Sequence, residues 1–231
     1  MITAIDLNKR RDQTRRMLAS LLGERCYLHF SSELGLKCHG DLGGMTSASL
    51  SAVVRDALPN EYSGPMPAIV IVDDRLRRFE AMEAATTFDA FVLHEAGHIL
   101  ADGVTAASCP EVDCENIPEM VGDDWRTWPE HCGGHPWTGH DHRFIRALLH
   151  LHHRMESRGH VVYLPAAFQS AVYGLSPIEN YRDALGMECQ QNDWRPIQEA
   201  LSGRVPAAFD RLWADDVVRS VRVPSLKGAR K

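Results

Sequence analysis

The sequence predicts an α+β fold in which a small sheet packs on one central helix and additional helices follow toward the C-terminus. Three stretches carry that expectation. The run Ala68-Ile69-Val70-Ile71-Val72, set between Pro65 and Pro67 on one side and Asp73-Asp74 on the other, is short, apolar and β-branched, as a buried strand is. From Ala84 to Ala101 the apolar residues Phe88, Phe91, Val92, Ile99 and Leu100 recur at spacings of three, four and seven, which is the period of a helix. Beyond Pro177 the chain reads as two or three short amphipathic helices, with Tyr181, Leu185, Trp194, Ile197, Leu201, Phe209, Leu212 and Trp213 as their apolar residues.

The remaining elements follow in order. Residues 6 to 22 set Leu7, Met17, Leu18, Leu21 and Leu22 among many charges, a surface helix stopped near Gly23. Ser31 to Ser51 is rich in serine and glycine, including Gly35, Gly40, Gly43 and Gly44, and predicts turns or short strands. The central helix meets Gly103 as a stop signal, and 103 to 139 then holds Pro110, Pro118, Pro129 and Pro136, an irregular insertion of the length that function usually explains. A second strong helix is expected from Gly139 to Ser157 on the stripe Phe144, Ile145, Leu148, Leu149 and Leu151. With 231 residues and no internal repeat, the whole chain is expected to form one domain, with that insertion and a helical part from about 177.

Charge narrows the partners. A net charge of −6 gives no global basic field for nucleic acid or anionic lipid, so a nucleic-acid role would need a local patch. The nearest candidates, Lys9-Arg10-Arg11 with Arg15-Arg16 and the tail Lys227 to Lys231, read better as a solvated helix face and a frayed terminus. The N-terminus lacks the apolar segment of a secretory signal, and no run approaches the eighteen or so apolar residues of a membrane span. A cytoplasmic protein with no membrane partner is expected. There the six cysteines (Cys26, Cys38, Cys109, Cys114, Cys132 and Cys189) would be buried thiols or metal ligands.

Chemistry concentrates in His94-Glu95-Ala96-Gly97-His98. Histidines four apart project from one helix face a turn apart and can place two imidazole nitrogens on one metal ion, for which zinc suits the ligand type. Glu95 beside them can take a proton from an attacking water and pass it to a leaving group. Ala96 and Gly97 are small enough for close packing beneath the site.

The pattern resembles the active-site helix of the zincin metallopeptidases, which carries His-Glu-x-x-His after a sheet. The segment Trp137-Thr138-Gly139-His140-Asp141-His142-Arg143-Phe144 is similar to the downstream part of the SprT-like zincins, where a third histidine precedes an aromatic residue by four. The resemblance covers about 68 to 101 and 137 to 151. It implies a zincin-like α+β fold, a Zn2+ ion on His94, His98 and His140, Glu95 as general base, and a peptide or protein as substrate. The metzincin continuation is absent, since Ala101 and Val104 stand where its glycine and histidine would fall.

The inserted loop lengthens the gap before the third ligand and leaves His131, His135, His140 and His142 as alternatives. His140 is favoured because it begins a helix and lies four residues before Phe144, whereas His131 and His135 stand among Pro129, Gly133, Gly134 and Pro136. Cys109, Cys114 and Cys132, with His131 and His135, offer a second, looser zinc site, though free or paired thiols fit their spacing better. His150, His152 and His153 read as a solvated helix face. Tyr163, Tyr173 and Tyr181 are conceivable oxyanion donors, with packing the plainer role for each. Two functions are therefore expected in order: a zinc-dependent peptide-bond hydrolase, and, as the alternative, a non-catalytic metal-binding or protein-interaction module on a zincin-like scaffold.

Overall fold

A computed structural model of the chain describes residues 6–23, 26–36, 44–46, 56–59, 68–73, 76–102, 142–169 and 176–222. Helix α1, Leu7–Leu22, starts where the Asp6 carboxylate accepts from the amides of Asn8 and Lys9 at 2.9 and 3.3 Å. It stops at Gly23, whose φ of 74° is the left-handed conformation that glycine adopts without a Cβ penalty. Three strands follow: β1, Tyr27–Phe30; β2, Gly44–Thr46; and β3, Ala68–Ile71. β3 runs parallel to β1, pairing Tyr27 with Ala68, and antiparallel to β2, pairing Met45 with Val70.

The sheet order is thus β1-β3-β2, and every residue of β3 is fully buried. The 68 to 72 strand is therefore central. Its two sides are occupied by β1 and β2, so it offers no edge to an added strand. Asp73, fully buried at the end of β3, ties that strand to the 3-10 turn Ser31–Leu34 after β1. It accepts from Ser31 Oγ (3.1 Å), Ser32 N (3.0 Å) and Ser32 Oγ (2.7 Å), and pairs with Arg77. Burial alone would raise its pKa, but the Ser32 and Arg77 bonds outweigh burial and hold it below the usual carboxylate value.

Helix α2, Ala81–Asp102, crosses this sheet and packs on β2 and β3. Phe88, Val92, Leu93 and Ala96 on it are fully buried, and the Phe88 ring lies 5.6 Å from that of Phe30 on β1. Helix α3, His142–Ser157, is its main partner, followed by the short α4, Leu164–Gln169, and by α5, Ile178–Gln191, α6, Ile197–Ser202, and α7, Ala207–Arg222. The C-terminal helices are fixed by buried polar groups as well as apolar ones. Asp216 of α7 accepts from Ser176 N (2.6 Å), Ser176 Oγ (2.8 Å) and Tyr181 Oη (2.6 Å), while Arg146 of α3 pairs with Glu188 and reaches the Ala200, Leu201 and Gly203 carbonyls at the end of α6. Unmet helix-end carbonyls find a donor in this way.

The basic cluster of α1 is not wholly the solvated face that its charges predict. Arg10 pairs with Asp89 of α2, and Arg11 pairs with Glu33 and lies 5.6 Å from the Phe30 ring centroid. Their charge is spent inside the fold, and Arg15 and Arg16 remain exposed. Among the described residues no helix is long and apolar enough to cross a membrane. The observed architecture is α+β, mostly helical with a small sheet.

Candidate metal centre

His94 and His98 stand one turn apart on α2, and their Nε2 atoms are 3.2 Å from each other. Two imidazole nitrogens at zinc distance and a tetrahedral angle lie roughly 3.3 Å apart, so the pair has the separation that such an ion requires. His94 is oriented from behind. Its Nδ1 is 2.8 Å from the carbonyl oxygen of Ala167 on α4, which places the proton on Nδ1 and leaves the Nε2 lone pair facing His98.

Both rings are held neutral. Burial, partly opposed by the Ala167 bond, lowers the pKa of His94, and burial with the neighbouring His94 pulls His98 down to about 3. Metal ligation needs the neutral imidazole, so this environment suits ligands. Phe144 of α3 forms one wall, its ring centroid 5.0 Å from that of His94 and 4.5 Å from that of His98. The ring comes this close because residue 97 is glycine: a Cβ there would stand 3.0 Å from Phe144 Cε2. Glu95 is the next residue on the helix after His94, about 100° around it, and is buried as well.

Of the four histidines considered for a third ligand, His131, His135 and His140 lie outside the described residues, as do the 103 to 139 insertion and Cys38, Cys109, Cys114 and Cys132. His142 is described. Its ring sits 5.8 Å from Trp213 of α7, while Phe144, two residues on, meets the histidine pair. Among the described residues no group of three or more His, Cys, Asp or Glu side chains could hold a metal ion. His94 and His98 would be two ligands of a set that needs another.

The histidines of α3 depart from expectation. His150 is fully buried and His152 nearly so, and only His153 is partly open. The reason is that α3 packs on α2 from one side and on α5 and α6 from the other, which leaves almost no solvated face. His150 Nε2 lies 3.5 Å from Glu188, and His152 Nε2 lies 3.0 Å from the Val162 carbonyl. Of the tyrosines, Tyr181 is buried with its hydroxyl bound to Asp216, Tyr163 is exposed, and Tyr173 lies outside the described residues. Cys26 and Cys189 are buried thiols, and burial pushes Cys189 up to about 12.

Sequence reasoning did not find the Ala167 carbonyl. No pattern marks a backbone acceptor 73 residues away from the ring it orients. Compared with models of known protein families, with characterised proteins and with solved structures, the chain matches none.

Proposed function

We propose that this chain is a zinc-dependent peptide-bond hydrolase of the zincin type, with His94, His98 and His140 as metal ligands and Glu95 as general base. The observation that carries the reading is the 3.2 Å approach of the His94 and His98 Nε2 atoms, with His94 Nδ1 committed to a carbonyl behind it. Zinc bound there would supply acidification of a water molecule and polarisation of the substrate carbonyl.

The chain's own residues do the rest. His94, neutral and buried, presents its Nε2 lone pair, and His98, neutral as well, frees its own Nε2 by shifting to Nδ1 the proton that it shares with His94. Glu95 takes the proton of the attacking water on its carboxylate and gives it to the leaving amine. Phe144 excludes water from the side of the pair that it covers. An extended peptide adding to the sheet beside α2 would pair with β2, the outer of the described strands that packs on that helix. We place the protein in the cytoplasm, where thiols such as Cys26 and Cys189 stay reduced.

The test is metal analysis of purified protein together with turnover on a mixed peptide library. Glu95→Gln keeps the size of the side chain and both helix ligands, so zinc stays bound while hydrolysis falls by about 10² to 10⁴. Zinc binding without any hydrolysis by the natural chain would favour a metal-binding module instead, and unchanged turnover in Glu95→Gln would move the base elsewhere.

A further inference from the structure

Two histidines on different helices each hold a main-chain carbonyl on the same short stretch of chain. His94 Nδ1 of α2 holds Ala167 at 2.8 Å, and His152 Nε2 of α3 holds Val162 at 3.0 Å. Val162 lies two residues before α4, and Ala167 lies within its last turn. Between them, the Tyr163 carbonyl accepts from the amides of Ala166 and Ala167 at 3.1 and 3.4 Å, which starts the helix.

The last four carbonyls of a helix have no donor within it, so Ala167, in a helix ending at Gln169, has an oxygen to offer to His94. Six residues do not make a helix that is stable alone. Where that oxygen stands therefore depends on what anchors α4: the burial of Leu164, Ala167 and Phe168 in the core and, among the described residues, the bond that His152 makes ahead of it.

We propose that His152 is a positioning residue of the metal centre: through Val162 and α4 it places the Ala167 carbonyl, and so keeps His94 as the Nδ1–H tautomer with Nε2 turned toward His98. The proposal rests on the reading of His94 as a metal ligand. A neutral imidazole has one N–H. If that proton sat on His94 Nε2, the lone pair that a metal needs would face away from His98.

His152 is suited to the task. Burial, the largest influence on it, lowers its pKa against the pull of the Val162 bond and of Glu156, so the ring is neutral at neutral pH. Glu156, 3.4 Å from Nδ1, is half exposed and can be satisfied by water, whereas the Val162 carbonyl is met inside the fold. The single proton therefore belongs on Nε2.

The experiment compares His152→Gln with His152→Asn. The glutamine amide nitrogen reaches the place of Nε2, and that of asparagine the place of Nδ1, so the two are close in polarity and only one can donate to Val162. Zinc affinity is measured by competition with a chromophoric chelator, the His94 tautomer by imidazole 15N NMR of the metal-free protein, and the fold by far-ultraviolet circular dichroism. We expect His152→Gln to bind zinc as the natural chain does, and His152→Asn to bind about tenfold more weakly and lose the single Nδ1–H form of His94 while keeping its helix content.

Wild-type affinity in His152→Asn, equal weakening in His152→Gln, or weaker binding with the His94 tautomer unchanged would each overturn the proposal. If the natural chain takes no zinc, the metal-site reading fails on its own. The tautomer of His94 in metal-free His152→Asn then decides: a mixture supports the positioning role and an unchanged Nδ1–H form overturns it.

Discussion

Gly97 and Phe144 touch so closely that a single methyl group on Gly97 would stand 3.0 Å from one ring carbon and 3.4 Å from the next. Two effects of Gly97→Ala compete. Alanine favours a helix over glycine by about 1 kcal/mol. Forcing Phe144 aside in a packed core costs about 1–3 kcal/mol, and the ring cannot yield freely because it already rests on His94 and His98. The second effect should win. We expect Gly97→Ala to unfold at lower urea concentration than the natural chain and to bind zinc more weakly. A more stable variant with unaltered zinc affinity would mean that the ring moves without consequence.

The ligand set can be read from metal retention. The purified chain should hold about one equivalent of zinc, because three imidazoles and an open position describe one site. His94→Ala, His98→Ala and His140→Ala should each lose it. His131→Ala and His135→Ala should keep it, and so should His142→Ala, whose ring lies against Trp213. Zinc lost on His142→Ala or His135→Ala would place the third ligand elsewhere, and a stoichiometry near two would turn attention to Cys109, Cys114 and Cys132.

What local sequence could reveal is what local forces decide. Leu7–Leu22 ends at Gly23 as its cap predicts, Ala68–Ile71 is the buried strand that its β-branched run requires, and the motif helix extends a few residues beyond its periodic core. The three helices after Pro177 also match their amphipathic pattern. β1 and α4 were not legible: Tyr27-Leu28-His29-Phe30 is not the bounded β-branched run that marks Ala68–Ile71, and Leu164–Gln169 carries no charged residue to set a polar face against its apolar one. Within the site, the spacing of His94 and His98 was visible because one helical turn makes it. The Ala167 carbonyl and the burial of His150 and His152 were not, because they depend on which helices meet α3 and α2 from far along the chain.

Acid stability offers a test independent of metal. Glu188 of α5 lies partly buried beside Arg146 and His150 of α3. Burial by itself would raise its pKa, but the bonds and charges of His150 and Arg146 outweigh it and bring the group below 4.5. A carboxyl whose folded pKa is lower than its unfolded one stabilises the fold fully above the unfolded value, and the contribution disappears as pH falls through the folded one. Asp73 acts in the same direction. Asp89 acts in the opposite one, since burial raises its pKa despite the bond from Arg10. The difference between the natural chain and Glu188→Gln, rather than either curve alone, therefore isolates Glu188. Arg146 keeps its three carbonyl acceptors in that variant, so the loss at neutral pH should be near the lower end for a hydrogen bond to a charged group, about 1.5 kcal/mol. Urea unfolding from pH 7 to pH 3 should show this gap closing below about pH 4.5, where the natural chain also loses the charge. A gap that stays constant across the range would assign the loss to packing instead of to the Glu188 carboxylate.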